Sequence, residues 1–183
     1  WRVAVAARGG GRCAVWRERR GQGSGDAVWG GRSGDGGGSF GANVKSQDPL
    51  GDAVQQWHPS IAARTEGFVV VWDDPRARWL DETESGDVFL SWSTADGWSE
   101  DLAVPGASGA GYQGSPAIAI DVDDDLHLAW IERDDLSAPT RPRYLRAAAG
   151  DQSAAGPGDL PAQSGNMAYP RDITANITDQ GAR

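Results

Sequence analysis

The chain has 183 residues, 39% of them hydrophobic, and a formal charge of −9, which allows one buried core and argues against a nucleic-acid partner, since phosphate binding relies on Lys and Arg. Its single cysteine, Cys13, excludes an intrachain disulfide and a cysteine-based metal site. No run approaches the roughly 20 apolar residues of a membrane span, and nothing at the start has the charged-then-apolar pattern of a signal peptide.

In chain order, short apolar, β-branched and aromatic runs alternate with Gly, Asp and Pro clusters, the pattern of consecutive antiparallel strands. A first unit covers 1–44, with strands near 3–7, 13–16, 26–30 and 40–44. A polar link, 45–57, leads to a second unit at 58–104, and a Gly-rich link, 105–114, to a third at 115–165. The third has strands near 117–120, 126–131 and 143–147. The Gly/Ala/Pro/Asp/Ser-rich stretch 148–164 reads as a loop or a weakly determined outer strand. Residues 166–183 open a further unit through Tyr169-Pro170-Arg171-Asp172-Ile173. No amphipathic helix pattern occurs anywhere.

The units repeat. Trp16, Trp72 and Trp130 fall 56 and 58 residues apart, each followed two residues on by a carboxylate, Glu18, Asp74 and Glu132. An arginine comes just behind: Arg19, Arg76 and Arg133. His58-Pro59-Ser60-Ile61 aligns with Ser115-Pro116-Ala117-Ile118, and Ser24-Gly25-Asp26-Ala27-Val28 with Ser85-Gly86-Asp87-Val88-Phe89. Units of this length, with 26 glycines and nine tryptophans, suit tight-turned four-stranded sheets packed through large aromatics. The fold class is therefore all-β: a β-propeller segment of about three four-stranded antiparallel blades plus the first strand of another. Propellers close with about four to eight blades. The chain is thus expected to be part of a longer polypeptide, with its open edges covered by the rest of the ring or by self-association.

Ser33-Gly34-Asp35-Gly36-Gly37-Gly38-Ser39-Phe40 matches Ser-x-Asp-x-Gly-x-Ser/Thr-aromatic. Asp and Ser side chains can bond the turn's own N–H groups, Gly supplies positive φ, and the aromatic is expected to return to the core. With the repeat around it, this motif resembles the Asp-box of the bacterial neuraminidase repeat, found in sialidase-like propellers; 93–98 looks like a shortened copy. The resemblance implies that Ser33, Asp35, Gly37 and Phe40 are structural and remote from any active site, and that the protein is extracellular, periplasmic or cell-surface. Sialidases use an arginine triad, a Tyr/Glu pair and an acid/base Asp, with the first arginine in a Phe/Tyr-Arg-Ile/Leu-Pro motif. That tetrapeptide is absent here, so no catalytic residue carries over.

After the second strand the chain reaches one face of a propeller, which places Glu18, Asp74 and Glu132 as a partial ring of carboxylates with Arg19, Arg76 and Arg133 beside them. Two readings fit: a polar mouth that binds sugar hydroxyls or a charged group, or salt bridges repeated because the blade is repeated. Trp79, in the polar loop 75–86, either stacks on a sugar or covers a blade edge. Asp121, Asp123 and Asp125 suggest calcium, whose ligands are oxygens, but they sit where a hairpin turn is expected and lack the EF-hand glycine and glutamate. His58 and His127 have no partners at zinc-ligand spacing, no Gly-x-Ser-x-Gly nucleophile elbow occurs, and no cofactor is expected. Gly36-Gly37-Gly38 lacks the helix and lysine of a phosphate loop, and Asn176-Ile177-Thr178 is a bare glycosylation acceptor.

The leading expectation is a non-catalytic recognition or scaffold propeller that binds glycan or protein through the loops after the second strands. The alternative is a sialidase-like glycoside hydrolase with most catalytic residues outside this chain.

Overall fold

The computed structural model describes residues 2–20, 25–47, 55–76, 86–135, 137–149 and 158–159. Among them run twelve strands: β1 (Val3–Arg8), β2 (Gly11–Glu18), β3 (Ala27–Ser33), β4 (Val44–Lys45), β5 (Trp57–Ala63), β6 (Phe68–Asp74), β7 (Asp87–Trp92), β8 (Leu102–Ala103), β9 (Tyr112–Ile120), β10 (Leu126–Arg133), β11 (Arg141–Ala147) and β12 (Gly158–Asp159). They form three antiparallel sheets of four strands, each a meander in chain order. This is the all-β blade architecture expected from the repeat. The third blade starts at Tyr112, inside the expected link 105–114, and the fourth strand of the first is only Val44–Lys45. The expected opening of a further unit at 166–183 lies outside the described residues.

The blades pack face to face through two cores. Val15 and Val28 of blade one meet Ile61, Phe68, Val70 and Trp72 of blade two. Val69, Val71, Val88 and Leu90 meet Ile118, Leu128, Trp130 and Leu145 of blade three. Side chains alternate between the faces of a strand, so β6, in the middle blade, sends Val70 and Trp72 one way and Val69 and Val71 the other. Every residue of β6 is buried as a result, and its apolar run reads as continuous rather than alternating. The repeated tryptophan thus faces the preceding blade. Trp72 and Trp130 are fully buried, while Trp16, whose outer face meets no other blade among the described residues, is half-buried.

The first strands β1, β5 and β9 lie side by side and line a groove of about 330 Å³ through Val3, Val5, Pro59, Ile61, Pro116 and Ile118. At one end of this groove stand the tight turns. Gly36 N donates to Gly10 O at 3.0 Å, placing the β3–β4 turn beside the β1–β2 turn. Here Asp124, at φ +67°, ties three blades together. It accepts from Thr65 N at 2.7 Å and Thr65 Oγ1 at 3.1 Å, and pairs with Arg8 at 3.1 Å and Arg64 at 3.5 Å. Burial alone would raise its carboxyl, but the Thr65 bonds and the two arginine charges leave it below the usual carboxylate range.

The 33–40 turn is locked by its own side chains. Ser33 Oγ donates to Asp35 Oδ1 at 2.7 Å and accepts from Gly37 N at 2.9 Å, while Ser39 donates to Asp35 through N at 2.9 Å and Oγ at 2.7 Å. Those donors, Ser33 first, hold the Asp35 carboxyl far below its ordinary range, and Gly37 sits at φ +100°. Phe40 departs from expectation: it is 51% exposed, lying over Gly31 of its own blade. Trp98, its counterpart in the shorter turn of blade two, instead packs into the core between blades one and two. The physical reason is the same as for Trp16: among the described residues no blade stands against that face of blade one to receive the ring. The turn around Trp98 is clamped from blade one, where Arg32 donates to Thr94 O at 2.7 Å and Gly97 O at 2.6 Å.

Candidate functional site

The opposite end of the groove collects the ends of β2, β6 and β10 and the starts of β5 and β9, because adjacent strands are antiparallel. Glu18, Asp74 and Glu132 all lie on this rim, and each is tied to arginine. A strand alternates, so the carboxylate two residues after the tryptophan shares its face. Trp16 Nε1 donates to Glu18 at 2.9 Å and Trp72 Nε1 to Asp74 at 3.4 Å. The next residue on that face, four beyond the tryptophan, is Arg20 or Arg76. Arg20 donates to Glu18 through Nε at 3.0 Å and Nη2 at 2.7 Å, and Arg76 to Asp74 at the same two distances. Arg76 also reaches Asp101 at 2.6 Å.

The structure therefore joins Asp74 with Arg76 but pairs Glu18 with Arg20, not Arg19. Arg19, on the other strand face, binds Asp26 at 3.0 Å. In blade three the position four beyond the tryptophan is Asp134, and Glu132 takes its cations from the neighbouring strand, Arg141 at 3.1 Å and Arg143 at 3.8 Å. Arg133 does not approach Glu132; its guanidinium lies 4.8 Å over the Tyr112 ring. Hydrogen bonds from Arg20 and then Trp16 hold the Glu18 carboxyl below its ordinary value. For Arg76, burial opposes the charge, but Asp74 and Asp101 outweigh it and raise the guanidinium further. Trp79 lies outside the described residues.

A second cluster on the same rim involves residues that carry no motif. His58, in the bulge where β5 meets β6, directs Nδ1 at both oxygens of Asp73, 2.9 Å each. A carboxylate only accepts, so Nδ1 carries the proton. Tyr112 Oη, from the next blade, donates to Asp73 Oδ2 at 3.2 Å. Burial first, then the Asp73 charge, pushes the Tyr112 phenol well above its ordinary value. Asp73 itself is 1% exposed. Gly114 permits the arrangement, because a Cβ there would collide with the Tyr112 hydroxyl. The available signals were the X-Pro steps at His58 and Ser115 and the acid following Trp72, where the other blades have Arg17 and Ile131.

Two of the aspartates considered for calcium, Asp121 and Asp125, bond their own turn and the strands beside it. Asp121 accepts from Asp123 N, Asp125 N and His127 Nε2, at 3.0, 2.9 and 2.9 Å. Asp125 binds Arg146 at 2.6 Å and Ala149 N at 2.9 Å. His127, like His58, has an acidic partner that zinc-ligand spacing does not reveal.

Three four-stranded antiparallel blades around a common groove define the described chain as part of a β-propeller. No family model matches it, and no curated protein is similar to it in sequence. Solved structures share the fold at low identity. An α-L-arabinanase from Penicillium chrysogenum, complexed with arabinobiose, superposes with a TM-score of 0.58 at 13% identity, covering 82% of this chain and 45% of its own. A Trypanosoma rangeli sialidase bound to the inhibitor DANA gives 0.56 at 8% identity, over 83% and 29%. An ulvan lyase, a polysaccharide lyase, gives 0.51 at 15% identity, over 84% and 42%. The chain spans less than half the length of each. Among the described residues no helix is long and apolar enough to cross a membrane.

Proposed function

We propose that this chain belongs to a carbohydrate-binding β-propeller whose glycan face is the rim around the axial groove, opposite the 33–40 turn. The observation that carries the reading is the state of the rim carboxylates. Glycosidase chemistry needs one carboxyl kept protonated by a raised pKa beside a second that stays ionised. Glu18, Asp74 and Glu132 are instead each paired with arginine, and Glu18 is pushed below its ordinary range. Such pairs present a rigid set of polar groups suited to orienting hydroxyls, not to moving protons. The 33–40 turn then acts as a structural Asp-box through Ser33, Asp35 and Gly37, and an exported location accords with a glycan ligand.

A second reading, hydrolysis of a glycoside, has at least equal support from the solved structures, several of which are named as arabinanase, arabinofuranosidase or sialidase. In that reading the proton-transferring carboxyls come from blades beyond these three. The test is a glycan array run beside fluorogenic arabinofuranoside and sialoside assays on the full chain and on any longer parent polypeptide. Binding without turnover is the expected result. Turnover by the parent would replace the recognition reading with the hydrolase, and absence of both binding and turnover would remove the glycan reading altogether.

A further inference from the structure

The His58, Asp73, Tyr112 and Arg133 cluster departs from the blade repeat. At the place of Asp73 blade one has Arg17 and blade three has Ile131, and at the place of His58 blade three has Ser115. A blade therefore needs neither group. Burying a carboxylate is costly unless it is well hydrogen-bonded. The backbone at His58, φ +48°, is that of the repeat, since Ser115 stands at φ +52°; what is peculiar to this blade is the side chains.

The cluster presents two free edges. With Nδ1 of His58 directed at Asp73, Nε2 is the edge of the ring left open, and the side chain is 34% exposed. Arg133 lies over the Tyr112 ring; its Nε is buried, so the edge it can offer a ligand is the one formed by its two terminal nitrogens. Asp135 feels the charge of Arg133, but the acids around this arginine are bonded elsewhere: Asp73 to His58 and Tyr112, Glu132 to Arg141 and Arg143, Asp134 to Arg141, and Asp135 to Ser137 and Ala138. Pro59 and Pro116, which line the axial groove, follow directly on His58 and Ser115. An arginine fork matches a carboxylate through two parallel hydrogen bonds.

The geometry points to a subsite for a carboxylate-bearing sugar, a uronate, in which Arg133 takes the carboxylate and His58 Nε2 hydrogen-bonds a hydroxyl of the same or the adjoining ring. It rests on the glycan reading and adds the class of sugar.

Titration calorimetry on the full chain tests it, with oligogalacturonate, a neutral arabino-oligosaccharide of equal length, and acetate at matched ionic strength. Oligogalacturonate is expected to bind at least about ten-fold more tightly than the neutral chain. Arg133→Gln should erase that preference. Arg133→Lys, which keeps the charge and loses the fork, should reduce it. His58→Asn retains a donor toward Asp73 and tolerates positive φ, so it should fold and still weaken uronate binding several-fold. Equal binding of both sugars, or a preference untouched by either Arg133 variant, overturns the subsite and leaves glycan binding standing. Acetate binding as tightly as oligogalacturonate reduces the site to a simple anion site and overturns the sugar assignment. Binding of neither sugar removes both this subsite and the glycan reading.

Discussion

The guanidinium of Arg76 lies 4.1 Å over the ring of Phe89 while its Nη2 bonds the buried carboxylates of Asp74 and Asp101. Blade one repeats the relationship, with Arg20 lying 4.0 Å over Trp29 and bound to Glu18. In both blades the aromatic is the cross-strand partner of the repeated tryptophan, Phe89 opposite Trp72 and Trp29 opposite Trp16. In blade three the partner of Trp130 is Arg143, so the cation has moved onto the strand itself. The rim is one design with two ways of supplying its positive charge.

The two copies differ in burial, and their energetics should differ with it. Asp74 has 0% side-chain exposure and Arg76 15%, against 30% and 37% for Glu18 and Arg20. Removing one partner of a buried pair strands the other charge and costs about 3–5 kcal/mol, whereas exposed pairs contribute little. Arg76→Ala should therefore lower the chemical-denaturation midpoint sharply, and Arg20→Ala should barely move it. Equal effects would mean that blade one is covered on its outer face in solution.

The three-blade plan was legible because the spacing of tryptophans reports a repeated unit, whatever its details. The choice of arginine was legible in principle. Strand alternation places Arg20 and Arg76, four residues past the tryptophan, on the face of the carboxylate, while Arg19 falls on the opposite face. The cations of Glu132 depend on the β10–β11 register, which no local pattern carries. His58 and Tyr112 reach Asp73 across 15 and 39 residues, through a bulge and a blade boundary, so composition and spacing could not join them. The exposure of Phe40 depends on which blade stands beside it, a property of the assembly and not of the turn.

Asp124 should make the inter-blade contact sensitive to acid. Its carboxyl lies below the ordinary range in the folded chain. Its contribution is therefore fully present above the unfolded aspartate value of about 3.9 and is lost as pH falls through the lower folded value. Asp124→Asn suits φ +67° and keeps an acceptor for Thr65, yet loses both arginine charges. It should destabilise the protein near pH 7 and flatten the stability decline below about pH 4. A variant whose stability stayed parallel to the parent across that range would show that Asp124 does not carry the linkage.

The 33–40 turn should be separable from global stability. Asp35 accepts from Ser39 N and Oγ in an exposed hairpin, so Asp35→Asn is expected to speed amide exchange at Ser39 and Gly37 while the melting temperature stays near the parent's. A cooperative loss of the whole blade in the variant would instead make this turn a folding determinant of β3 and β4.

Tyr112 and Gly114 should be energetically coupled. Tyr112→Phe keeps the ring beneath Arg133 but removes one of the two side-chain donors to the buried Asp73, at a cost of about 1–3 kcal/mol. Gly114→Ala places a methyl group against the Tyr112 hydroxyl, and overpacking of this kind costs a similar 1–3 kcal/mol. In the Tyr112→Phe background the hydroxyl is gone while the ring carbons next to it still crowd the methyl group, so Gly114→Ala should cost somewhat less there than in the parent, and the cycle should be non-additive. Denaturant midpoints of the four proteins, at unchanged slope, give the coupling directly. Strict additivity would mean that the Tyr112 hydroxyl does not occupy its place beside Asp73 in solution.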